Sequence, residues 1–331
     1  MNALLEVRGL KTYFFAESGV VKAADGVSFA IDRGRTLALV GESGCGKSVT
    51  ALSILRLVEP PGRIVAGEIL FEGRDLASIP EKELRCVRGD RIAMIFQEPM
   101  ASLNPVYTVE GQIVEAIRVH RRVSRRAARS RAIDLLKRVG IPAAENRADE
   151  YPHRFSGGML QRVMIAMALA CEPAVLIADE PTTALDGTTQ AQILDLLKEL
   201  QEESGMAILL ITHNLALVAE AAHEIAVMYA GKIVERSSVR ELFEHPLHPY
   251  THGLLGSIPR LGAPKGRTLP AITGTVPDPA RYPAGCRFHP RCPAKEARCA
   301  VDEPLLEEAR PDHTVGCLLV EGGVSPMEAR G

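Results

Sequence analysis

An α/β fold built on a parallel sheet is predicted by three apolar runs, each stopping at a polar residue. Residues 37–40 (LALV) run into Gly41, Glu42, Ser43, Gly44, Cys45, Gly46, Lys47 and Ser48. Residues 174–178 (AVLIA) end in Asp179 and Glu180, and residues 207–211 (AILLI) end in Thr212 and His213. Fully apolar runs of this length read as strands buried on both faces. In a parallel sheet their carboxyl ends open on one crevice.

The octet 41–48 fits G-x-x-x-x-G-K-[ST], a phosphate-binding loop. Gly41, Gly44 and Gly46 let backbone N–H groups turn inward at phosphate oxygens. The helix expected over 48–57 presents its positive end to the same anion. Lys47 brings a point charge to the β and γ phosphates, and the Ser48 hydroxyl can ligate Mg²⁺. Asp179 suits Mg²⁺, directly or through water, and Glu180 can orient or deprotonate an attacking water. His213 is placed to contact a γ-phosphate or that water.

At 331 residues, 46% hydrophobic and 24% charged, the chain has the balance of a globular protein of one large and one smaller domain, or two domains. A net charge of −2 gives no bulk attraction to nucleic acid. The N-terminus MNALLEVRGL does not read as a secretory signal, and runs such as 163–171 fall short of a membrane helix. The expectation is a cytosolic chain, or one bound to a membrane through a partner. Of seven cysteines, Cys45, Cys86 and Cys171 are scattered, while Cys286, Cys292, Cys299 and Cys317 are bunched. In a reducing compartment, bunching suggests a metal or cluster before disulfides.

Along the chain, residues 3–10 and 26–31 read as strands of an antiparallel piece. Tyr13 and Phe14 lie between them, and an aromatic here either stacks on an adenine ring or packs on the sheet. Residues 67–72 and 91–96 are further strands. Gln97 follows the second, reaching into the crevice or lying in a solvated loop. Residues 108–140 read as helical, stopped by Gly140 and Pro142. The basic run Arg118, Arg121, Arg122, Arg125, Arg126, Arg129 and Arg131 reads as a solvated face, or as a contact for anionic lipid headgroups. Phe155-Ser156-Gly157-Gly158-Met159-Leu160-Gln161-Arg162 opens a helix over 158–171, with Ser156 as N-cap. Its two glycines leave N–H groups uncovered, a second anion site, although Ser-Gly-Gly also suits a linker. Ala184-Leu185-Asp186 then precedes a helix to about residue 203.

Taken together, GESGCGKS, Gln97, FSGGMLQR, VLIADEP, ALD and Thr212-His213 resemble the ATPase subunit of an ABC transporter over residues 4–240. Phe155 departs from the usual Leu. GVVKAADGVSF, QEPMASLNP and HPLHPYTHGLLGSIPRL (245–261) resemble the peptide-importer branch. The implied architecture is an α/β P-loop NTPase cassette, RecA-like, over 1–240, with an antiparallel β subdomain and a helical subdomain at about 98–165. A C-terminal Cys-containing extension would follow over 241–331.

The resemblance implies head-to-tail dimers with two ATPs sandwiched at the interface. Residues 41–48, with Val49, would bind the chain's own nucleotide. Ser156, Gly157 and Gly158, with Gln161, would meet the γ-phosphate of the partner's ATP. Phe14, more than Tyr13, falls at the adenine-stacking position. Gln97 would ligate Mg²⁺ or the lytic water and sense the membrane subunit, and Asp186 would order the dimer interface. Glu180 is the expected catalytic base. The helical region would dock a permease. Implied partners are two permease subunits, a second ATPase (paralogous or identical) and an extracytoplasmic binding protein, with no nucleic acid. The expected place is the cytoplasmic face of the inner or plasma membrane, held through the permease. The implied cargo is a di- or oligopeptide, with nickel or another small solute as alternative. A soluble repair or translation ATPase would bring coiled-coil insertions or a second cassette, and a degenerate partner would lack Lys47, Gln97, Glu180 or His213.

The spacing Cys286-x5-Cys292-x6-Cys299-x17-Cys317 lacks the paired knuckles of zinc ribbons. It resembles members whose extension holds a structural [4Fe–4S] cluster, with zinc or free thiols as alternatives.

Overall fold

The computed structural model describes residues 3–17, 19–98, 102–183, 185–258 and 272–327. Parts of the segments quoted above, at 99–101, Ala184 and 259–261, lie outside them. In chain order the strands are β1 (Leu5–Ala16), β2 (Gly19–Ile31), β3 (Thr36–Val40), β4 (Gly62–Phe71), β5 (Arg74–Asp75) and β6 (Ile92–Ile95). They continue with β7 (Val175–Asp179), β8 (Ala207–Thr212), β9 (Glu224–Tyr229), β10 (Lys232–Ser238), β11 (Glu307–Arg310) and β12 (His313–Val315). The chain forms two compact units. One holds Ile31–Arg35, Ser78–Ile211 and the residues before Leu5, and the other Leu5–Ala30, Thr36–Ala77 and everything from Thr212 onward. The C-terminal extension thus shares a unit with the phosphate loop.

In the first unit β6, β7 and β8 run parallel, Ile95 opposite Ala178 and Asp179 opposite Ile211. Every residue of β7 is buried, as the continuous apolar run requires. The helical stretch expected over 108–140 is two helices, Val109–His120 and Arg125–Arg138. The break has a local cause. The Ser124 hydroxyl accepts from the Ala127 N–H, opening a new helix inside the basic run. Ile113, Val114 and Ile117 of the first helix and Ala132, Leu135 and Leu136 of the second form the buried stripes. In the basic run, Arg121 pairs with Asp90 (2.9 Å), Arg129 with both oxygens of Asp149 (2.6 and 2.7 Å), and Arg131 with Glu172 (3.0 Å). These pairs support the solvated-face reading.

In the second unit β2, β1, β4 and β5 make an antiparallel sheet in that order. β1 runs past residue 10 through Tyr13 and Phe14. A bulge between Arg8 and Lys11 takes up Gly9, which adopts φ +57°, and pairing with β4 resumes beyond it. β3 lies parallel to β9, and β10, β12 and β11 extend from β9 antiparallel.

Glu235, on β10, is fully buried, accepting from Leu247 N (2.6 Å), His248 N (2.9 Å) and His313 Nε2 (2.8 Å). Burial alone would raise its carboxyl, but these donors hold it below the ordinary glutamate range. His248 is buried, and burial pushes it down to about 4. Its Nδ1 accepts from Tyr250 N (3.0 Å), which keeps the ring neutral with its proton on Nε2. Nearby, the rings of Tyr229, Tyr250 and Phe288 pack with centroids 4.6–5.4 Å apart.

Candidate functional site

β3 is buried along its length and delivers the chain to Gly41. Gly41 has φ +152°, and a Cβ there would lie 2.1 Å from Met228 O. Gly46 has φ +106°, and its Cβ would lie 2.0 Å from Ala23 O. Backbone packed this close admits only glycine, so the loop's shape is imposed by the strands around it. Lys47 is buried and donates from Nζ to Gly41 O (2.8 Å) and Glu42 O (3.1 Å), lying along the loop it serves. The helix Lys47–Ile54 starts directly after Gly46. Ser43 and Gly44 are exposed, Ser48 and Val49 half-buried. Cys45 is buried, and burial pushes its thiol up, so at neutral pH it is an uncharged packing group.

Glu42 is the loop residue with the most unexpected surroundings. Its N–H donates to the Tyr250 hydroxyl (2.9 Å). Its carboxylate takes both arms of Arg291, Nη1 at 2.6 Å and Nη2 at 3.0 Å. Arg291 is itself almost fully buried and donates from Nε to Thr273 O (3.0 Å). Sequence reasoning singled out neither Tyr250 nor Arg291. The signal was a carboxylate inside an anion-binding loop, which calls for a countercharge, but nothing in the spacing locates it.

Upstream, Tyr13 donates to Asp25 (2.5 Å), and Arg287 pairs with the same carboxylate. Burial and this bond push the Tyr13 phenol up to about 12. Phe14 is half-buried opposite Gly62, where a Cβ would sit 2.6 Å from the Phe14 ring. His213 is exposed, just beyond Thr212, whose hydroxyl accepts from Asn214 N (3.0 Å).

In the other unit Asp179 is buried at the end of β7. The next residue, Glu180, sits at φ +47°, left-handed backbone that a non-glycine residue rarely adopts. Its N–H donates to Ile211 O (2.9 Å), which holds the turn. Its carboxylate accepts from Gln97 Nε2 (3.1 Å) and Thr183 Oγ1 (2.8 Å). Strain of this kind costs about 1–3 kcal/mol and gathers at functional sites. Gln97 and Glu180, 83 residues apart, are thus brought into contact.

Ser156 caps the helix Gly157–Ala168, accepting from Met159 N at 3.4 Å. Ser156 and Gly157 are exposed, and Gly158 is half-buried. Gln161, by contrast, is buried. Phe155 is buried with the Arg147 guanidinium 5.9 Å from its ring, so the larger residue fills an apolar position. Asp186 caps the helix Gly187–Ser204, accepting from Thr189 N (3.0 Å) and Thr189 Oγ1 (2.8 Å), and these bonds lower its carboxyl.

The four C-terminal cysteines share one apolar cluster, and all are free thiols. Cys286 N donates to Cys299 O (2.9 Å). Burial raises the Cys286 thiol and pushes Cys317 up to about 12. Among the described residues, however, no group of three or more His, Cys, Asp or Glu is arranged to hold a metal ion. The arrangement therefore lends the expected iron–sulfur cluster no support.

A glycine-forced phosphate loop, a helix capped at Ser-Gly-Gly and a strained Asp-Glu strand end define a nucleotide-hydrolysing cassette. The ABC transporter family matches residues 24–183, and the oligopeptide/dipeptide transporter C-terminal region matches 234–299. The oligopeptide transport ATP-binding protein AppD of Bacillus subtilis (strain 168) is 52% identical over 322 residues, 97% of this chain and 98% of that protein. The dipeptide transport ATP-binding protein DppD of Escherichia coli (strain K12) is 53% identical over 304 residues, 92% and 93% of the two chains. The ATP-binding cassette MJ0796, a dimer in its post-hydrolysis state with ADP and Pi, is 28% identical with a TM-score of 0.65, covering 71% of this chain and 99% of that one. The chain belongs to the ABC transporter ATP-binding family and is an ATPase. No helix among the described residues is long and apolar enough to cross a membrane.

Proposed function

We propose that the chain is the energy-coupling subunit of an importer for di- or oligopeptides, with a cassette over 1–240 and an extension over 241–331. The observation that carries this reading is one chain joining a glycine-forced phosphate loop to a C-terminal region of the oligopeptide/dipeptide transporter type. The names of AppD and DppD support peptide cargo.

In the proposed reaction Glu180 takes a proton from water, and the water oxygen attacks the γ-phosphorus. The bond from that phosphorus to the β–γ bridging oxygen breaks, giving ADP and phosphate. Gln97 and Thr183 hold the Glu180 carboxylate for this step, Lys47 offers charge to the β and γ phosphates, and His213 steadies the γ-phosphate or the water. Ser48, Gln97 and Asp179 offer the oxygen donors that a hard cation takes, and Mg²⁺, when bound with ATP, neutralises phosphate charge. Residues 41–49 bind the phosphates, and Phe14 stacks on adenine.

Ser156, Gly157 and Gly158 meet the ATP held by a second ATPase, identical or paralogous. Gln161, on the same helix, is buried rather than facing that ATP, and Asp186 orders the interface. Exposed Val106 and Tyr107, within the 98–165 segment, offer apolar contact to one of two permease subunits. The chain would thereby sit at the cytoplasmic face of the inner or plasma membrane, served by an extracytoplasmic binding protein and touching no nucleic acid. Since half of each site comes from a second ATPase, turnover per chain should rise with protein concentration. Fast turnover that does not vary with dilution would overturn the shared-site reading.

A [4Fe–4S] cluster on Cys286, Cys292, Cys299 and Cys317 is part of the same proposal. Its support is the spacing of the four cysteines in the sequence, which resembles family members whose extension holds such a cluster, and it would anchor a loop-rich segment; the arrangement of the thiols adds nothing to that support. Iron and acid-labile sulfide, assayed after purification without oxygen, should each approach four per chain. Absence of both, with Cys286→Ser leaving stability unchanged, removes the cluster from the proposal.

A further inference from the structure

A phosphate loop is built to attract negative charge, yet this one carries a carboxylate at its second position. Left to itself, Glu42 would repel the triphosphate that the loop exists to bind. The fold deals with that charge from the C-terminal extension. Arg291 reaches the Glu42 carboxylate with two parallel N–H···O bonds, the fork geometry in which guanidinium and carboxylate match. The guanidinium is buried, and its Nε is fixed by Thr273 O, so it has little freedom to point elsewhere. The Tyr250 hydroxyl accepts from the Glu42 N–H. Tyr250 is completely buried against Tyr229 and Phe288, so that acceptor is also rigid. Glu42 is thus held by side chain and by backbone. Both contacts come from within the matched C-terminal region, 234–299, and act on the matched cassette region, 24–183.

We propose that Arg291 and Tyr250 are positioning residues of the ATP site. Arg291 cancels the charge that Glu42 brings beside the phosphates, and Tyr250 fixes the backbone of the loop. Neither touches nucleotide, and both act through Glu42. The inference rests on residues 41–48 being the ATP cradle. Arg291 also lies between Cys286 and Cys292, so the cysteine-bearing segment reaches the phosphate loop through one side chain.

The test uses the full chain, with KM and kcat for MgATP hydrolysis and the Kd for MgATP by calorimetry. Arg291→Ala should raise KM and Kd by about tenfold while kcat stays within about twofold. Adding Glu42→Gln to Arg291→Ala removes the uncompensated carboxylate and should bring KM back to within about threefold of wild type. A purely structural role predicts no such rescue. Arg291→Lys, which keeps the charge and loses the fork, should raise KM by about threefold, and it decides the matter if the alanine variant does not fold. Unchanged KM in whichever Arg291 variant folds, or a double variant as weak as Arg291→Ala, overturns the proposal. Lys47→Ala separates the two layers. Retained MgATP binding in that variant removes the cradle reading and this inference with it. Lost binding there, beside an unaffected Arg291→Ala, removes this inference alone.

Discussion

Glu180→Gln is expected to cut ATP hydrolysis by about 10²–10⁴-fold while leaving MgATP binding within a few-fold of wild type. The substitution keeps the shape of the side chain and a carbonyl oxygen to accept from Gln97 and Thr183. It does not relieve the backbone at φ +47°, so the turn after β7 should persist. What it removes is the ability to take a proton from water. Single-turnover hydrolysis of radiolabelled ATP separates this loss from a binding defect, because bound ATP should persist unhydrolysed. Turnover within about threefold of wild type would exclude Glu180 as the base.

Among the described glycines, Gly46→Ala should be the most damaging alanine substitution. The added carbon would lie 2.0 Å from Ala23 O, a backbone atom that cannot swing aside, and the residue would have to hold φ +106°. Shifting the β2 backbone or the loop by more than an ångström costs about 3 kcal/mol or more, and the displaced N–H groups no longer converge on one phosphate. Gly44→Ala is the matched control. Gly44 also has positive φ, +80°, but no atom lies within 4 Å of its added carbon. Its cost should be only the conformational one, about 1–2 kcal/mol. Urea unfolding of both variants reads the difference directly. Equal stability of the two would show that the close approach at Gly46 is not a constraint.

The parts of this site legible in the sequence are those whose chemistry is local. The glycines, Lys47 and Ser48 lie within eight residues, and the apolar run of β7 points straight at Asp179 and Glu180. The Ser156 cap is similarly short-range, bonding a backbone N–H three residues on. Hidden features join distant positions or hinge on a single local bond. Arg291 is 249 residues from Glu42, and no periodicity encodes such a pairing. The break before Ser124 falls in the basic run, where no apolar period marks a boundary, and the cap bond to Ala127 starts the second helix. β1 extends beyond the 3–10 stretch because its pairing with β4 resumes at Lys11 after the bulge and continues through Phe14. Gln161, grouped with exposed neighbours by its motif, is buried because the helix turns it inward.

Glu235 has a bearing on how this lineage can be cut and recombined. Its three hydrogen-bond donors, Leu247 N, His248 N and His313 Nε2, all lie beyond residue 240, where the cassette reading ends. A buried carboxylate stripped of such donors is strongly destabilising, by about 3–5 kcal/mol. The extension is therefore not a detachable appendage grafted onto a finished cassette. A shortened descendant would have to replace Glu235 along with the tail, and a chimera spliced at 240 would inherit a charge whose partners it had discarded.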